Sequence, residues 1–221
     1  IAVGEVYSIF SNIEINSSLQ GDDHIIYDIK KDARLGLYYY ESGAIPRKPI
    51  VVYDRNHSSI NSLKINELKK EIFTQTRLFH ISGITLALCE SLRKESIKII
   101  ELFKKNNTII SFDVNYRSSL WDNKTARKEI EKILPLVDVF FTSEENSRKM
   151  FQKKGSMEEI MPEFSKDFGC SIIASTQRKV INAAKHTWSS KIYSSKQDLF
   201  YQEDPYYEIE VVDRIGSGDA Y

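Results

Sequence analysis

Short apolar runs alternate with longer amphipathic segments along most of this 221-residue chain. The apolar runs have the length and the β-branched or aromatic content of buried strands, and they lie at residues 78–81, 108–114, 137–141 and 170–174. Apolar residues at helical spacing follow or precede them, at residues 60–73, 86–105, 124–134, 144–152 and 157–168. This order predicts an α/β fold with a mostly parallel sheet and helices on both faces. In such sheets ligands bind outside the carboxyl ends of the strands, so residues that follow a strand are candidates for a site.

Further β-rich segments lie outside this alternation. Residues 35–41 and 49–55 flank a turn-like segment at 42–46 that contains Gly43 and Pro46, which predicts a hairpin. Residues 1–9, 185–200 and 207–212 also have the composition of strands.

Charge and cysteine content exclude several classes of partner. Lys+Arg and Asp+Glu both number 31, so the formal net charge is zero, whereas a nucleic-acid-binding protein normally carries a basic excess or stripe. Cys89 and Cys170 form neither a disulfide framework nor a zinc motif, and we expect two reduced thiols. No apolar run approaches the roughly 20 residues that cross a bilayer. We therefore expect a cytoplasmic protein without a membrane or nucleic-acid partner.

The main chemical signal is the run Gly216-Ser217-Gly218-Asp219, which follows the predicted strand at 207–212. Glycines let backbone N–H groups approach a phosphate closely, and successive N–H groups at the start of a helix form an anion site. Asp219 beside such a site could accept the proton of a hydroxyl that attacks a phosphate. A tight turn with a helix-capping aspartate explains the same residues without any ligand.

Several motifs together resemble the PfkB, or ribokinase-like, carbohydrate kinases, and in particular their 2-keto-3-deoxygluconate kinase branch. The run from Asp213 to Tyr221 resembles the C-terminal signature of the family, usually written Asp-Thr-x-Gly-Ala-Gly-Asp-x-Phe. Other runs similar to that branch lie at residues 36–38, 52–55, 79–85, 111–117 and 120–122. The resemblance covers residues 33–221 in consistent order, and several motifs in register are more specific than one glycine loop.

The resemblance implies a ribokinase-like, three-layer αβα fold, with residues 1–221 as a single domain and a small β-lid hairpin at about 35–56. A complete member continues past the Gly-Asp signature and has a longer stretch, with a Gly-Gly sugar-binding motif, before the lid. We therefore expect the domain to be incomplete at its C-terminus and near residues 20–33. At the second place, an internal deletion and residues left out of this numbering are both open.

Arg117 ends the run at residues 113–117, directly after a predicted strand, so we expect it at the ligand edge of the sheet. Its planar guanidinium fits carboxylate or phosphate oxygens, although a surface arginine in a loop is the alternative. The resemblance implies that Arg117 contacts sugar and phosphate and that Asn115, which lies near it, also binds phosphate. It also implies that Asp219 is the catalytic base and that nucleotide phosphate is bound by Gly216, Ser217 and Gly218.

Tyr38, Tyr53 and Arg55 lie on the two predicted lid strands and match substrate contacts of the resembled branch. A neutral sugar gives little reason for two arginines. The carboxylate of a sugar acid could instead pair with Arg55 while Arg117 serves the phosphate. The alternative is that these side chains only stabilise an exposed hairpin.

Two other segments match the family less well. Residues 175–178 follow the predicted strand at 170–174, where the family has a nucleotide-phosphate loop, and Thr176 is a candidate ATP contact although the usual glycine is missing. Residues 142–146 match the place of an Asn-x-x-Glu motif that helps to organise Mg²⁺, but Ser143 and Asn146 occupy its ends. Acidic residues acting through water and a simple helix cap at Ser143 are both open, and the metal ligands remain unassigned.

The resemblance therefore implies a kinase that uses ATP and Mg²⁺ on a sugar acid, most closely 2-keto-3-deoxygluconate. A kinase for another sugar, such as fructose, is the alternative within this class. A catalytically inactive sugar- or nucleotide-binding protein is the alternative from another class. An exposed β lid could also pair with the lid of a second copy and form a homo-oligomer.

Overall fold

The computed structural model describes residues 33–41, 47, 50–181, 185–203 and 206–210. The predicted strand at 1–9, the turn at 42–46, most of the segment around 20–33 and the run from Asp213 to Tyr221 lie outside these residues. The chain divides into two compact units. The first contains residues 33–39 and Val52–Asp122, and the second contains the described parts of Tyr40–Val51 and of the chain from Asn123 onward.

Both segments of the predicted lid hairpin form strands, and the role of this sheet as a lid stays a prediction. β1 (Leu37–Glu41) and β2 (Ile50–Asp54) pair in a two-stranded sheet. Exposure alternates along β1, where Tyr38 and Tyr40 are half-buried and Leu37 and Tyr39 are exposed. Because successive side chains of a strand point to opposite faces, one face of β1 is partly covered and the other faces solvent.

The segment after the lid does not form the single helix predicted at 60–73. It forms two 3₁₀ helices, Ser59–Ser62 and Ile65–Glu67, and then the short helix α1 (Glu71–Gln75). The backbone N–H of Ile65 donates to the carboxylate of Glu95 at 2.9 Å, so a longer-range contact takes a donor that a continuous helix would use. This N–H and the Lys98 ammonium hold the pKa of Glu95 below its ordinary value.

The first unit then builds a strand–helix–strand unit. β3 (Leu78–Ser82) pairs in parallel with β4 (Ile109–Asp113), and their last residues, Ser82 and Asp113, are partners in the register. The connection contains α2 (Gly83–Leu88) and α3 (Glu90–Lys105). The prediction of one helix at 86–105 is wrong because Cys89 is extended (φ −161°, ψ 162°), and its Sγ accepts the N–H of Leu92 at 3.5 Å as a new helix cap.

Aromatic residues fix how α3 packs on this strand pair. Phe103 of α3 is 1% exposed, and its ring centroid lies 4.7 Å from that of Phe73 and 4.4 Å from that of Phe79. Phe79 comes from β3 and Phe73 from α1, so one aromatic cluster joins three elements.

The second unit continues the α/β order. It contains α4 (Asn123–Ile133), the 3₁₀ helix Leu134–Leu136, β5 (Val139–Phe141), α5 (Glu144–Lys149) and α6 (Met157–Phe168). β5 pairs in parallel with β6 (Ile172–Val180). Phe140, Phe151 and Phe164 form an edge-to-face cluster with centroids 5.1 to 6.0 Å apart, which covers one face of β5 with α6.

The second unit ends in antiparallel strands. β7 (Lys185–Ser194) pairs with β6 along its whole length and also pairs with β8 (Leu199–Gln202) and β9 (Tyr206–Glu210). This pairing extends β6 well beyond residue 174, where the predicted strand ends. None of the helices in the described ranges is long and apolar enough to cross a membrane.

Candidate active site

The residues that directly follow β3 and β4 meet at the carboxyl ends of these two strands. Gly83 directly follows β3, and a Cβ added to it would overlap the carbonyl oxygen of Val114, the residue that directly follows β4. The carbonyl of Val114 belongs to the backbone, and a Cβ is fixed directly to the backbone of residue 83, so neither atom can rotate away as a longer side chain would. A residue larger than glycine does not fit there without moving one of the two strand ends.

Asn115 turns the chain at the end of β4. Its φ is +34°, in the left-handed region that asparagine tolerates better than most residues, and its N–H donates to Oδ1 of Asp113 at 3.0 Å. The side chain of the last strand residue therefore closes the turn that begins the loop.

Arg117 is exposed on the loop that follows β4, an arrangement that fits both a residue at the ligand edge and a surface arginine in a loop. Its Nη1 donates to the carbonyl of Tyr116 at 3.2 Å, and its own carbonyl accepts the N–H of Leu120 at 3.0 Å. The structure thus places Asn115 and Arg117 together on one turn at the end of β4.

The lid residues also form one cluster. The Tyr38 and Tyr53 ring centroids are 6.2 Å apart, and Cζ of Arg55 lies 3.8 Å from the Tyr53 centroid. Ser58, which is buried, donates its hydroxyl to the Arg55 carbonyl at 2.9 Å. A cation over an aromatic face keeps its charge while its N–H edge can bind an anion. The sequence predicted these three residues, and the structure brings them together.

The segment after β5 has the arrangement of a helix cap. Ser143 accepts the N–H of Asn146 at 3.1 Å, and Glu144 and Glu145 each form an ion pair one helical turn away, with Arg148 and Lys149. Among the residues that the structure describes, no group of three His, Cys, Asp or Glu side chains could hold a metal ion. The described geometry therefore matches the capping alternative, and a metal role for this segment stays a prediction.

Thr176 does not lie in a loop, and the prediction of a loop at 175–178 is wrong. It lies inside β6 opposite Ser190 of β7, because the β6–β7 ladder continues through these residues. Its contact with ATP stays a prediction. The neighbouring Ser175 is 1% exposed, and its hydroxyl has no hydrogen-bond partner within the described part of the chain.

The predicted phosphate loop and catalytic base, Gly216, Ser217, Gly218 and Asp219, lie outside the described residues. Sequence reasoning missed two features of the described site. One is the contact of Gly83 with Val114, which the Ser82-Gly83 pair after a strand could have signalled. The other is the hydrogen bonding of Tyr116, which depends on a partner further along the loop and leaves no local pattern.

Solved structures of the same architecture identify the fold class. A 2-dehydro-3-deoxygluconokinase from Thermotoga maritima matches with a TM-score of 0.79 and 30% identity, covering 84% of this chain and 58% of that chain. A ribokinase II from E. coli in complex with ATP and Mg²⁺ matches with a TM-score of 0.62 and 20% identity, covering 78% and 51%, which shows the fold alone. The predicted ribokinase-like fold is confirmed.

Sequence comparison gives the family. The model of the pfkB family carbohydrate kinases matches residues 23–221, so the chain belongs to this family. A 2-dehydro-3-deoxygalactonokinase of Haloferax volcanii is 33% identical over 190 residues, which are 86% of this chain and 56% of that protein. The chain spans about half the length of the relatives that it matches.

The contact between Gly83 and Val114 predicts a large effect of Gly83→Ala. In the full-length protein, we expect this change to lower the free energy of unfolding by about 3 kcal/mol, because the added methyl overlaps backbone. Gly169→Ala is the matched control. Gly169 has φ +81° with open space around its Cβ position, so it should lose only about 1 kcal/mol from backbone strain. Urea unfolding measures both, and equal losses for the two variants would contradict the close approach.

Proposed function

We propose that the whole protein transfers the γ-phosphoryl group of ATP to a sugar acid, most closely 2-keto-3-deoxygluconate. The observation that carries this proposal is the cluster of Tyr38, Tyr53 and Arg55 on the lid, in a member of the pfkB family. An arginine over a tyrosine face offers a charged, directional partner for a carboxylate. A neutral sugar has no group that needs such a partner.

The lid residues have separate tasks in this proposal. Arg55 binds the carboxylate of the sugar acid, and the hydroxyls of Tyr38 and Tyr53 hydrogen-bond to the sugar. A lid over the sugar would exclude water, which otherwise competes as the acceptor of the phosphoryl group. Use of ATP also suits the cytoplasmic location predicted from the sequence.

The chemical step follows from the roles that the family resemblance implies. Asp219 accepts the proton of the terminal sugar hydroxyl, and the hydroxyl oxygen forms a bond to the γ-phosphorus while the bond to the leaving ADP oxygen breaks. Backbone N–H groups from Gly216 to Asp219 stabilise the charge on the transferring group, and Arg117 assists them.

Magnesium suits this chemistry without a dedicated protein cage. Mg²⁺ is usually held by nucleotide phosphates and water with one or two carboxylates. When bound, it neutralises charge on the β- and γ-phosphates.

Asp219→Asn tests the base. We expect kcat to fall by about 10³-fold in the full-length enzyme, because an amide cannot accept the proton. Asp198→Asn is the control, since Asp198 accepts a hydrogen bond from Tyr193 in a turn and has no role in the proposed reaction. A coupled assay of ADP release measures both variants, and turnover by Asp219→Asn at the wild-type rate would refute the assignment.

Arg55→Leu tests the substrate class. We expect KM for 2-keto-3-deoxygluconate to rise by about 30-fold, which corresponds to the loss of one hydrogen-bonded contact to a charged group. KM for fructose or ribose should change little. Arg47→Leu is the matched control, because Arg47 pairs with Glu41 on the same lid but is 61% exposed. A wild-type preference for fructose or ribose would refute the sugar-acid assignment.

Assays of the wild type with 2-keto-3-deoxygluconate, 2-keto-3-deoxygalactonate, fructose and ribose separate two further alternatives. 2-keto-3-deoxygalactonate differs from the gluconate compound in configuration at one carbon, and a carboxylate contact to Arg55 does not distinguish them. A preference for it would keep the sugar-acid class and change the named substrate. Thermal stabilisation by sugar or ATP without any product would instead favour the inactive binding protein, which the cap at Ser143 and the ion-paired Glu144 and Glu145 support.

The outer face of the lid suits pairing with a second copy. Leu37, Tyr39 and Val52 are 42%, 63% and 57% exposed. Exposed apolar strands of this kind favour pairing with another chain. We expect the full-length protein to sediment as a dimer and Tyr39→Glu to sediment as a monomer. Leu199→Glu, at an exposed apolar residue of β8, should leave the dimer intact, and a monomeric wild type would contradict the proposal.

A further inference from the structure

The loop that carries Arg117 is closed by a hydrogen bond between its two ends. The hydroxyl of Tyr116 donates to the carbonyl of Trp121 at 3.1 Å. Inside this closure, the Leu120 N–H donates to the Arg117 carbonyl at 3.0 Å. The loop begins at Asn115, whose left-handed backbone is itself fixed by Asp113. Both ends of the loop are therefore held, one by the strand end and one by the tyrosine hydroxyl.

Trp121 is a firm anchor for this bond. It is 8% exposed, and Cζ of Arg93 lies 5.4 Å from the centroid of its ring. Arg93 belongs to α3, and its Nε donates to the carbonyl of the buried Leu86 in α2 at 2.8 Å. A cation held by two helices thus packs against the indole, so the Trp121 carbonyl belongs to the packed part of the unit.

Within the described part of the chain, the Arg117 side chain has one hydrogen bond. The side chain is exposed, and its bond to the Tyr116 carbonyl comes from the adjacent residue, so it follows the loop wherever the loop moves. A long arginine side chain loses much rotamer freedom when it binds an anion. If its loop were also free to move, binding would have to order the backbone as well, and a misplaced guanidinium would assist the reaction less. The closure by Tyr116 keeps the backbone of Arg117 in one place before any ligand binds.

We infer that Tyr116 is a positioning residue, whose hydroxyl orients Arg117 by tying its loop to Trp121. This inference rests on the proposed function, in which Arg117 assists the transferring phosphoryl group. The tyrosine hydroxyl acts on Arg117 by holding the loop in place, and it does not contact the substrate.

A double-mutant cycle tests the coupling in the full-length enzyme. Tyr116→Phe should lower kcat/KM for ATP-dependent phosphorylation of 2-keto-3-deoxygluconate by about tenfold, mainly through kcat, because the phenyl ring remains while the loop loses its closure. In the Arg117→Ala background, the same change should have less than about a twofold effect, since the residue that it positions is gone. An equal loss in both backgrounds would overturn the inference.

Tyr201→Phe is the matched control for the lost hydroxyl. Tyr201 donates to Oε1 of Gln197 at 2.7 Å on β8, so this variant also loses one tyrosine hydrogen bond. Its kcat/KM should stay near the wild-type value. A loss equal to that of Tyr116→Phe would indicate a general effect on stability and would contradict the positioning role.

Hydrogen–deuterium exchange separates failure of this inference from failure of the proposed function. Peptides covering residues 114–122 should exchange faster in Tyr116→Phe than in the wild type or in Tyr201→Phe. Unchanged exchange would overturn the closure, whatever the enzyme phosphorylates. If the wild type phosphorylates no sugar acid but exchange in Tyr116→Phe is faster, the proposed function fails while the closure of the loop stands.

Discussion

The parallel pairing of β3 with β4 is the constraint on which the described site depends. Because Ser82 and Asp113 are partners at the last step of the register, the chain leaves both strands side by side. Gly83, the first residue of α2, then lies against the carbonyl of Val114, so the start of α2 and the loop after β4 cannot separate without loss of that contact. A shift of the register by one residue would reverse the faces of a whole strand and remove Phe79 from the cluster with Phe103. The aromatic core therefore fixes the register, and the register fixes where α2 and the loop after β4 begin.

The side-chain contacts of the lid sheet contribute less to stability than the aromatic core does. A cation over an exposed aromatic ring contributes only about 0.5–1 kcal/mol, so the pairing of Arg55 with Tyr53 adds little to the stability of the hairpin. Its value lies in orientation, because the ring limits the directions in which the guanidinium can point. Ion pairs of the lid, such as Arg47 with Glu41, lie largely in solvent and contribute little to stability. The lid sheet therefore gains little stability from these two contacts, and the ring of Tyr53 serves mainly to orient Arg55.

Much of this arrangement could be predicted from the sequence, because periodicity and motif order are local signals. The strands at 78–81 and 108–114 and the helix at 157–168 were predicted close to their observed bounds. The roles of Arg55 and Arg117 at a ligand site, which the family resemblance implies, stay predictions. The failures came from longer-range partners. Glu95 takes the N–H of Ile65 and divides a predicted helix, while pairing with β7 extends β6 through Thr176. Periodicity within one segment contains no information about such partners.

The backbone of Asn115 has a consequence for how sequences of this kind are interpreted. With φ at +34°, the position disfavours β-branched and bulky residues whether or not any ligand contacts the side chain. Its N–H bond to Asp113 couples the two positions through the turn alone. Selection for a well-formed turn would therefore preserve this pair of residues even in a relative that has lost its chemistry. Retention of Asn115 in a related chain indicates the geometry of the strand end, and it is weak grounds for inferring that the chain binds a sugar or a phosphate.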